Sequence, residues 1–509
     1  MPRQSLQRPV PSGEGRPGRA PDRRRGRRDR RSRRSSRNRR NRRGGSAVVT
    51  TALRKRLESL APERVVTPGH PRYDTLRSLF NGAHDRRPAV IFLPLDGREI
   101  AAAVDAGRDA GLRVTVRGGG HNVAGSASND GGLVIDLRLM RRVTVDPGLR
   151  LARVQGGATW NDVDEATARY GLATTGGTVG STGVAGLTLG GGLGYLSRSL
   201  GLTCDLVRSY RLVTGDGQRR EVDAERDPEL NRLLRGAGHG LGAVEEFTFR
   251  LAPVSRVHGG RFVYPLRYAS RVTAAFTELM AGAPPELTCL LLLEPWGDPP
   301  VRSVVANVCY TGDDPAVVDR VRRVMSCAPP TACEFAPRSY PSMQASLGET
   351  DFGLRHYWST CSVTAFPEEL AGELVERYAA GGCGGAEGAE DIVIVTPLGG
   401  AVATPEEPGA IAFRDAAYTV LAMGIWRDPA RDDAGREWAR GIVRAARPWS
   451  LDGDQHVDYV NYASEPAERG RPGRAPGETH RALQAVRRRL DPDGVFGPVL
   501  PDTPVPVPA

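Results

Sequence analysis

Residues Arg117 to Gly132 read RGGGHNVAGSASNDGG and place an imidazole directly after three glycines, at the end of a short apolar run, LRVTV. Glycine is used where backbone must turn sharply or approach something closely. Successive backbone N–H groups in such a loop form a nest for anions, and neutral imidazole is a nucleophile. Taken alone, RGGGH reads as well as a strand-to-loop turn with a surface histidine. A P-loop is excluded because no Lys and Ser/Thr follow, and the spacing is not GxGxxG. The properties that remain suit a diphosphate-bearing ligand held closely, with a covalent bond to the ring within its chemistry.

A second stretch strengthens that reading. Residues 176–194 hold nine glycines in nineteen positions, with Ser181 and Thr182 among them. Val184, Leu187, Leu189, Leu193 and Tyr195 make it too apolar for a flexible linker. A glycine loop with apolar punctuation lets backbone lie against a flat or phosphorylated ligand. Near the C-terminus, Tyr459-Val460-Asn461-Tyr462 has by itself only the alternation of an ordinary half-buried strand.

In this order, RGGGHNVAG, GGLVIDL, GGTVGSTGVAGLTLGGGLGYLSRSLGLTCD, RGAG, EEFTFRL, YVNY and the final LDP and Phe resemble the berberine-bridge-enzyme-like flavoprotein oxidases. These belong to the vanillyl-alcohol-oxidase superfamily with a PCMH-type FAD-binding domain, and the likeness runs from about Leu60 to Leu500. It implies an α+β fold: a two-part FAD-binding domain, and a substrate domain whose antiparallel sheet is covered by helices. It implies FAD contacts from Arg117, Gly118, Gly119, Gly120, His121, Asn122, Gly125 and Ser126 in the first loop. The second loop would add Gly177, Ser181, Thr182, Gly183, Gly186, Leu187, Gly190, Gly191, Gly192 and Gly194, with Val244 and Asn461 from elsewhere. His121 would bond covalently to the flavin 8α-methyl. The position where many members carry a second, cysteinyl bond falls on Val179, so attachment is expected through His121 alone.

The same resemblance makes Tyr462 the first candidate for catalytic base and Tyr459 the second. A phenol has an unperturbed pKa of about 10, so it takes a proton at neutral pH only with a stabilised phenolate or in concert with hydride loss. The implied activity is that of an FAD-dependent oxidase. Hydride would leave a small-molecule alcohol, amine or ring C–H, in secondary metabolism, and O2 would be reduced to H2O2. No metal is implied. Several family positions differ here: Gly240 stands for an Asn, Ser359 for a Lys, and Ala412-Phe413-Arg414-Asp415 for a longer AFPHR motif. These departures keep open a second reading, a weakened or non-catalytic flavin-binding scaffold.

The elements that must position these residues alternate. A helix is expected over 51–60, a strand over 89–95, a helix ending at Gly111, strands LRVTV, GLVIDL and LARVQG, and a helix closed by Gly171. Past about Val257, long strand-like runs separated by helices such as PAVVDRVRRVM suit an antiparallel sheet with helices on one face. The expected division is a disordered Arg-rich tail (1–46), a PCMH-type domain (47–256), a substrate domain (257–453), a segment completing the FAD domain (454–500) and a tail (501–509).

Composition argues against reading function from charge. The chain carries +11, but residues 1–44 hold 18 arginines against Glu14, Asp22 and Asp29, leaving the remainder at −4. No aromatic residues interleave the tail, so no specific nucleic-acid partner is expected, though a polyanion-binding tail is a third reading. Only Lys55 is a lysine, a bias of high-GC bacterial coding sequence. The seven cysteines are dispersed, without a CxxC pair, and read as reduced cytoplasmic thiols. No apolar run approaches a membrane span. A small-molecule substrate, O2 and a monomeric or homodimeric state complete the expectation.

Overall fold

The computed structural model describes residues 50–348, 351–382, 390–451, 459–465 and 476–497. The expected tails at 1–46 and 501–509, and Cys383, lie outside them. From Ala52 onward the described residues form one compact unit.

The first half of the chain builds two sheets. In the smaller, Val65–Val66, Val90–Phe92, Leu133–Asp136 and Val114–Arg117 lie side by side in that order. The last three run parallel. Helix Gly97–Asp109 connects two of these strands. Its Asp96 cap accepts the N–H groups of Arg98 and Glu99, and Ile100, Ala103 and Val104 form its buried stripe. The helix ends two residues before Gly111, whose φ of 61° is the left-handed stop that the sequence suggests. The strand expected over 89–95 is shorter, Val90–Phe92, and the first helix stops at residue 58.

The second sheet is antiparallel: Val143–Asp146, Leu151–Gln155, Ala243–Arg250, Val207–Val213 and Arg219–Val222. The C-terminal helix Pro476–Leu490 places Leu483, Val486 and Leu490 in the same core, and Val495 enters the core of the first sheet. The C-terminal helix and Val495 thus pack with the first half of the chain.

The middle of the chain forms a third sheet of eight described strands, antiparallel throughout. Its order places Ile392–Pro397 beside Tyr418–Trp426 and leaves Arg355–Val363 as an edge. Helices Ala269–Met280, Pro315–Met325, Glu368–Ala379 and Asp432–Ala446 bury their apolar faces against one side. Among the described residues no helix is long and apolar enough to cross a membrane.

Two local readings change. The glycine-rich stretch 176–194 contains the short helix Val184–Leu189, with Ser197–Leu200 following. YVNY is not a strand: Val460–Tyr462 is a 3-10 turn. Residues three apart eclipse on such a turn, so Tyr459 and Tyr462 meet edge to face, 4.5 Å between centroids.

Candidate active site

Both glycine loops, the edge of the third sheet and the C-terminal segments converge on one cavity of about 850 Å³. That volume is toward the upper end for ligand pockets, roughly 300–1,000 Å³. Its wall includes Gly118, Gly119, Gly120, His121, Asn122, Ser126, Gly177, Thr182, Gly183, Gly186, Leu187, Gly190, Val244, Tyr459, Asn461 and Tyr462.

The glycines are there for contact as much as for turning. A Cβ on Gly119 would stand 2.5 Å from the Gly183 nitrogen, and one on Gly183 would stand 2.3 Å from the Gly119 nitrogen. The two loops therefore touch backbone to backbone, which no other residue permits. Asn122 shapes the first loop by accepting the N–H groups of Ala124 and Ser126 and the Ser126 hydroxyl through Oδ1. Gly190 abuts Asn461, whose amide donates to the Leu187 carbonyl (3.0 Å) and the Tyr459 hydroxyl (2.8 Å).

Six residues expected at the ligand stand outside the wall. Arg117 lies beneath Gly120 and donates to the Leu76 carbonyl at 2.6 Å. Burial lowers its pKa to about 10, opposed by Asp136, so it remains a cation supporting the turn from behind. Gly125, at φ 67°, packs on the His84 ring. Ser181 occupies the outer corner of a turn closed by the Thr182 N–H on the Val179 carbonyl. Gly191 and Gly192 have φ of 118° and 89° and turn the chain toward Thr203 and Cys204. Gly194 lies against the Gly176 carbonyl, 2.0 Å from where its Cβ would be. These are residues of loop construction, and glycine spacing alone does not separate that use from ligand contact.

The two tyrosines also divide. Tyr459 is 1 % exposed, and its hydroxyl accepts the Gly192 and Leu193 N–H groups (3.0 and 3.1 Å) besides the Asn461 amide. It pegs the glycine turn, and burial drives its pKa far upward. Tyr462 keeps its hydroxyl out of hydrogen bonds among the described residues. Burial pushes its pKa up to about 12. A phenol in that state is neutral at pH 7.

His121 stacks on Phe80 (4.7 Å, 21°) and meets Phe352 edge to face (5.0 Å). His356 stacks on Phe80 at 4.4 Å. Burial lowers the His356 pKa to about 3, with His121 contributing, so that ring is neutral. Val179, the family's cysteine position, lines the cavity, and among the described residues no cysteine does.

Sequence reasoning missed the rest of the wall. Trp358 and Phe413 face the tyrosines, with ring separations of 6.1 Å to Tyr462 and 5.3 Å to Tyr459 respectively. Trp358 had a signal in the RHYWST motif, and its strand's alternation resolves the missing lysine. Tyr357 and Cys361 point into the helix-covered core, so Ser359 between them shares that face and is not part of the cavity. Arg414 of the shortened motif is bound to Asp205 and is structural. At the far end His480, Arg481 and Arg487 line the wall with Arg113 and His239. The helix carrying the first three reads in sequence only as an arginine-rich amphipath.

That wall fits a dinucleotide. Among its described residues there is no Asp or Glu, Arg113, Arg481 and Arg487 line it, and the loops form a cradle that a Cβ would fill. The Nε2 of His480 is buried there with no hydrogen-bond partner among the described residues.

The family of the FAD binding domain matches residues 88–223. The chain is 29 % identical to (R)-6-hydroxynicotine oxidase of Paenarthrobacter nicotinovorans, over 85 % of this chain and 94 % of that protein. The crystal structure of 6-hydroxy-D-nicotine oxidase from Arthrobacter nicotinovorans aligns at TM-score 0.75 and 26 % identity, covering 85 % of this chain and 96 % of that one. The berberine-bridge-like protein 1 of Physcomitrella patens aligns at TM-score 0.76 and 19 % identity, over 88 % and 98 % of the two chains, a likeness of fold. Fold and site together define an FAD-linked oxidoreductase. The chain carries an FAD-binding domain and is similar to FAD-linked oxidases, with a fold like that of the berberine-bridge-like protein.

Proposed function

We propose that the protein is an oxidase that holds FAD through His121 alone and oxidises a small-molecule alcohol, amine or ring C–H in a biosynthetic pathway. The observation that carries this reading is that His121, the paired glycine loops and Tyr462 line one cavity. FAD, when bound, supplies a two-electron acceptor for substrate hydride and passes the electrons to O2, giving H2O2.

The chain's own groups do the rest. The Gly118–Gly120 and Gly183–Gly186 backbones would cradle the cofactor, with Arg113, Arg481 and Arg487 supplying positive charge for its phosphates and His480 a ring nitrogen for hydrogen bonding. His121 would hold the flavin, through a bond from a ring nitrogen to the 8α carbon. Stacking on Phe80 restricts the ring's orientation for that bond.

Tyr462 receives the substrate O–H or N–H proton. A neutral phenol has no site for that proton, so the accepting form is the phenolate, and burial that pushes the pKa up to about 12 keeps its fraction small at pH 7. Trp358, Phe413 and Ile411 offer flat apolar surface, and the wall has no described carboxylate to pair a protonated amine. A neutral or anionic ring-bearing alcohol fits better than a cationic amine. A relative named as an oxidase of 6-hydroxynicotine keeps nitrogen heterocycles among the candidates. The domain division at about 257 and 453 accompanies this reading, with the tail returning to complete the FAD-binding part.

The test is direct. Purified protein should be yellow, retain flavin after acid precipitation, and release H2O2 with a ring-bearing alcohol from a substrate panel. Colourless protein after expression with ample FAD would end the reading.

A further inference from the structure

The edge strand Arg355–Val363 pairs with Tyr418–Trp426 along one side; on the other, Val363 bridges Ser450 at one end, and the rest has no strand beside it among the described residues. The backbone groups of the even-numbered residues point outward, and named partners take them up. The Gly82 N–H donates to the Leu354 carbonyl at 2.7 Å. Asn81, 1 % exposed, accepts the His356 N–H at 2.9 Å and donates to the His356 carbonyl at 2.9 Å. Two residues along, the Ser464 hydroxyl accepts the Trp358 N–H at 2.7 Å, and the Ser464 N–H donates to the Trp358 carbonyl at 3.2 Å. Two side chains remote in sequence thus read adjacent rungs of one strand.

Each is tied to one end of the chemistry. Asn81 also donates to the Val123 carbonyl at 2.7 Å, within the histidine loop, and follows Phe80, whose ring lies between those of His121 and His356. Ser464 follows Tyr462 by two residues, and Trp358 meets the Tyr462 ring. A β-strand rises about 3.3 Å per residue and is stiff once paired.

We propose that this edge strand is a ruler. Asn81 and Ser464 are positioning residues that register the His121 loop and the Tyr462 turn on adjacent rungs, fixing how far apart the two rings stand across the cavity. Sealing a sheet edge needs any hydrogen-bonding partner. Registering both reactive rings needs these two at this spacing. The inference rests on the flavin reading above.

The experiment uses the full chain expressed with FAD, and its readouts need no substrate. Flavin attachment is followed in acid-precipitated protein. The distance to Tyr462 is followed by the flavin fluorescence lifetime, because electron transfer from a nearby tyrosine or tryptophan quenches the excited flavin steeply with separation. Asn81→Asp keeps the acceptor oxygen and loses both amide donations, and should slow attachment by about ten-fold or more, since small misplacements of reacting atoms cost rates of that order. Ser464→Ala should attach flavin as wild type does but lengthen the lifetime toward that of Tyr462→Phe, and Ser464→Thr should restore it. Both variants are expected to lose thermal stability, Asn81→Asp the more because it leaves two buried carbonyls without their donor, so attachment and lifetime are read well below each variant's thermal midpoint. Wild-type attachment in Asn81→Asp together with an unchanged lifetime in Ser464→Ala would overturn the ruler alone. A wild-type chain that carries no flavin would instead overturn the functional reading.

Discussion

The two walls of the cavity are made by different means. On one side, residues 118–122 and 176–190 present backbone, packed so closely that Gly119 and Gly183 touch. On the other, Trp358, Phe413 and Tyr462 present side chains whose facing is set by strand alternation and by a 3-10 turn. A backbone wall tolerates no added atom but is indifferent to most neighbouring side chains. A side-chain wall tolerates substitution and changes what it selects. The first suits an invariant ligand, the second a substrate.

This contrast is open to breakage, most sharply on the backbone side. Gly183→Ala puts a methyl 2.3 Å from the Gly119 nitrogen. Relief requires the loops to part, a strain of about 1–3 kcal/mol or more. FAD content after purification should fall close to zero, and full occupancy would refute the contact.

On the side-chain wall, Tyr462→Phe should slow flavin reduction by substrate about 10²- to 10⁴-fold, the usual range for a lost proton acceptor. Wild-type reduction should quicken as pH rises from 7 to 10, because the phenolate fraction grows toward a pKa near 12. The phenylalanine variant should lose that slope. Tyr459→Phe should behave oppositely. It leaves the Gly192 and Leu193 N–H groups and the Asn461 amide without their acceptor, at about 1–3 kcal/mol for each buried group left unsatisfied. Its mark should be a lowered thermal midpoint and loosened FAD, with the pH slope retained. Similar profiles for the two would dissolve the division of labour between them.

A smaller effect sharpens the support behind the backbone wall. The Gln344 amide bonds the Gly177 carbonyl at 2.9 Å and Asp164 at 3.2 Å. Burial raises the Asp164 carboxyl to about 7. The unfolded value is about 3.9, so the folded state holds an extra proton between those limits, and stability falls as pH rises through them. Asp164→Asn removes that dependence. Relative to wild type it should gain stability from pH 4 to pH 7, by at most about 4 kcal/mol, and no further above. Parallel denaturation curves across that range would contradict it.

Much of this was legible in sequence, unevenly. Glycine spacing carried the backbone wall, because a glycine that must touch backbone has no substitute. Gly111 marked a helix end for the same kind of local reason. What was not legible depends on register. RGGGH does not say that Arg117 supports Gly120 from behind, nor does YVNY say which tyrosine faces the ligand, until a 3-10 turn replaces the expected strand. The contribution of His480, Arg481 and Arg487 depends on how Leu483, Val486 and Leu490 seat their helix. That is tertiary information with no local pattern.

The central claim is that one cofactor is held by one residue, His121, and intact-protein mass under denaturing conditions tests it most directly. Wild type should carry the polypeptide mass plus one FAD less two hydrogens, and His121→Ala the bare polypeptide mass although it is yellow before denaturation. A bare wild-type mass, or flavin still attached in His121→Ala, would contradict the account.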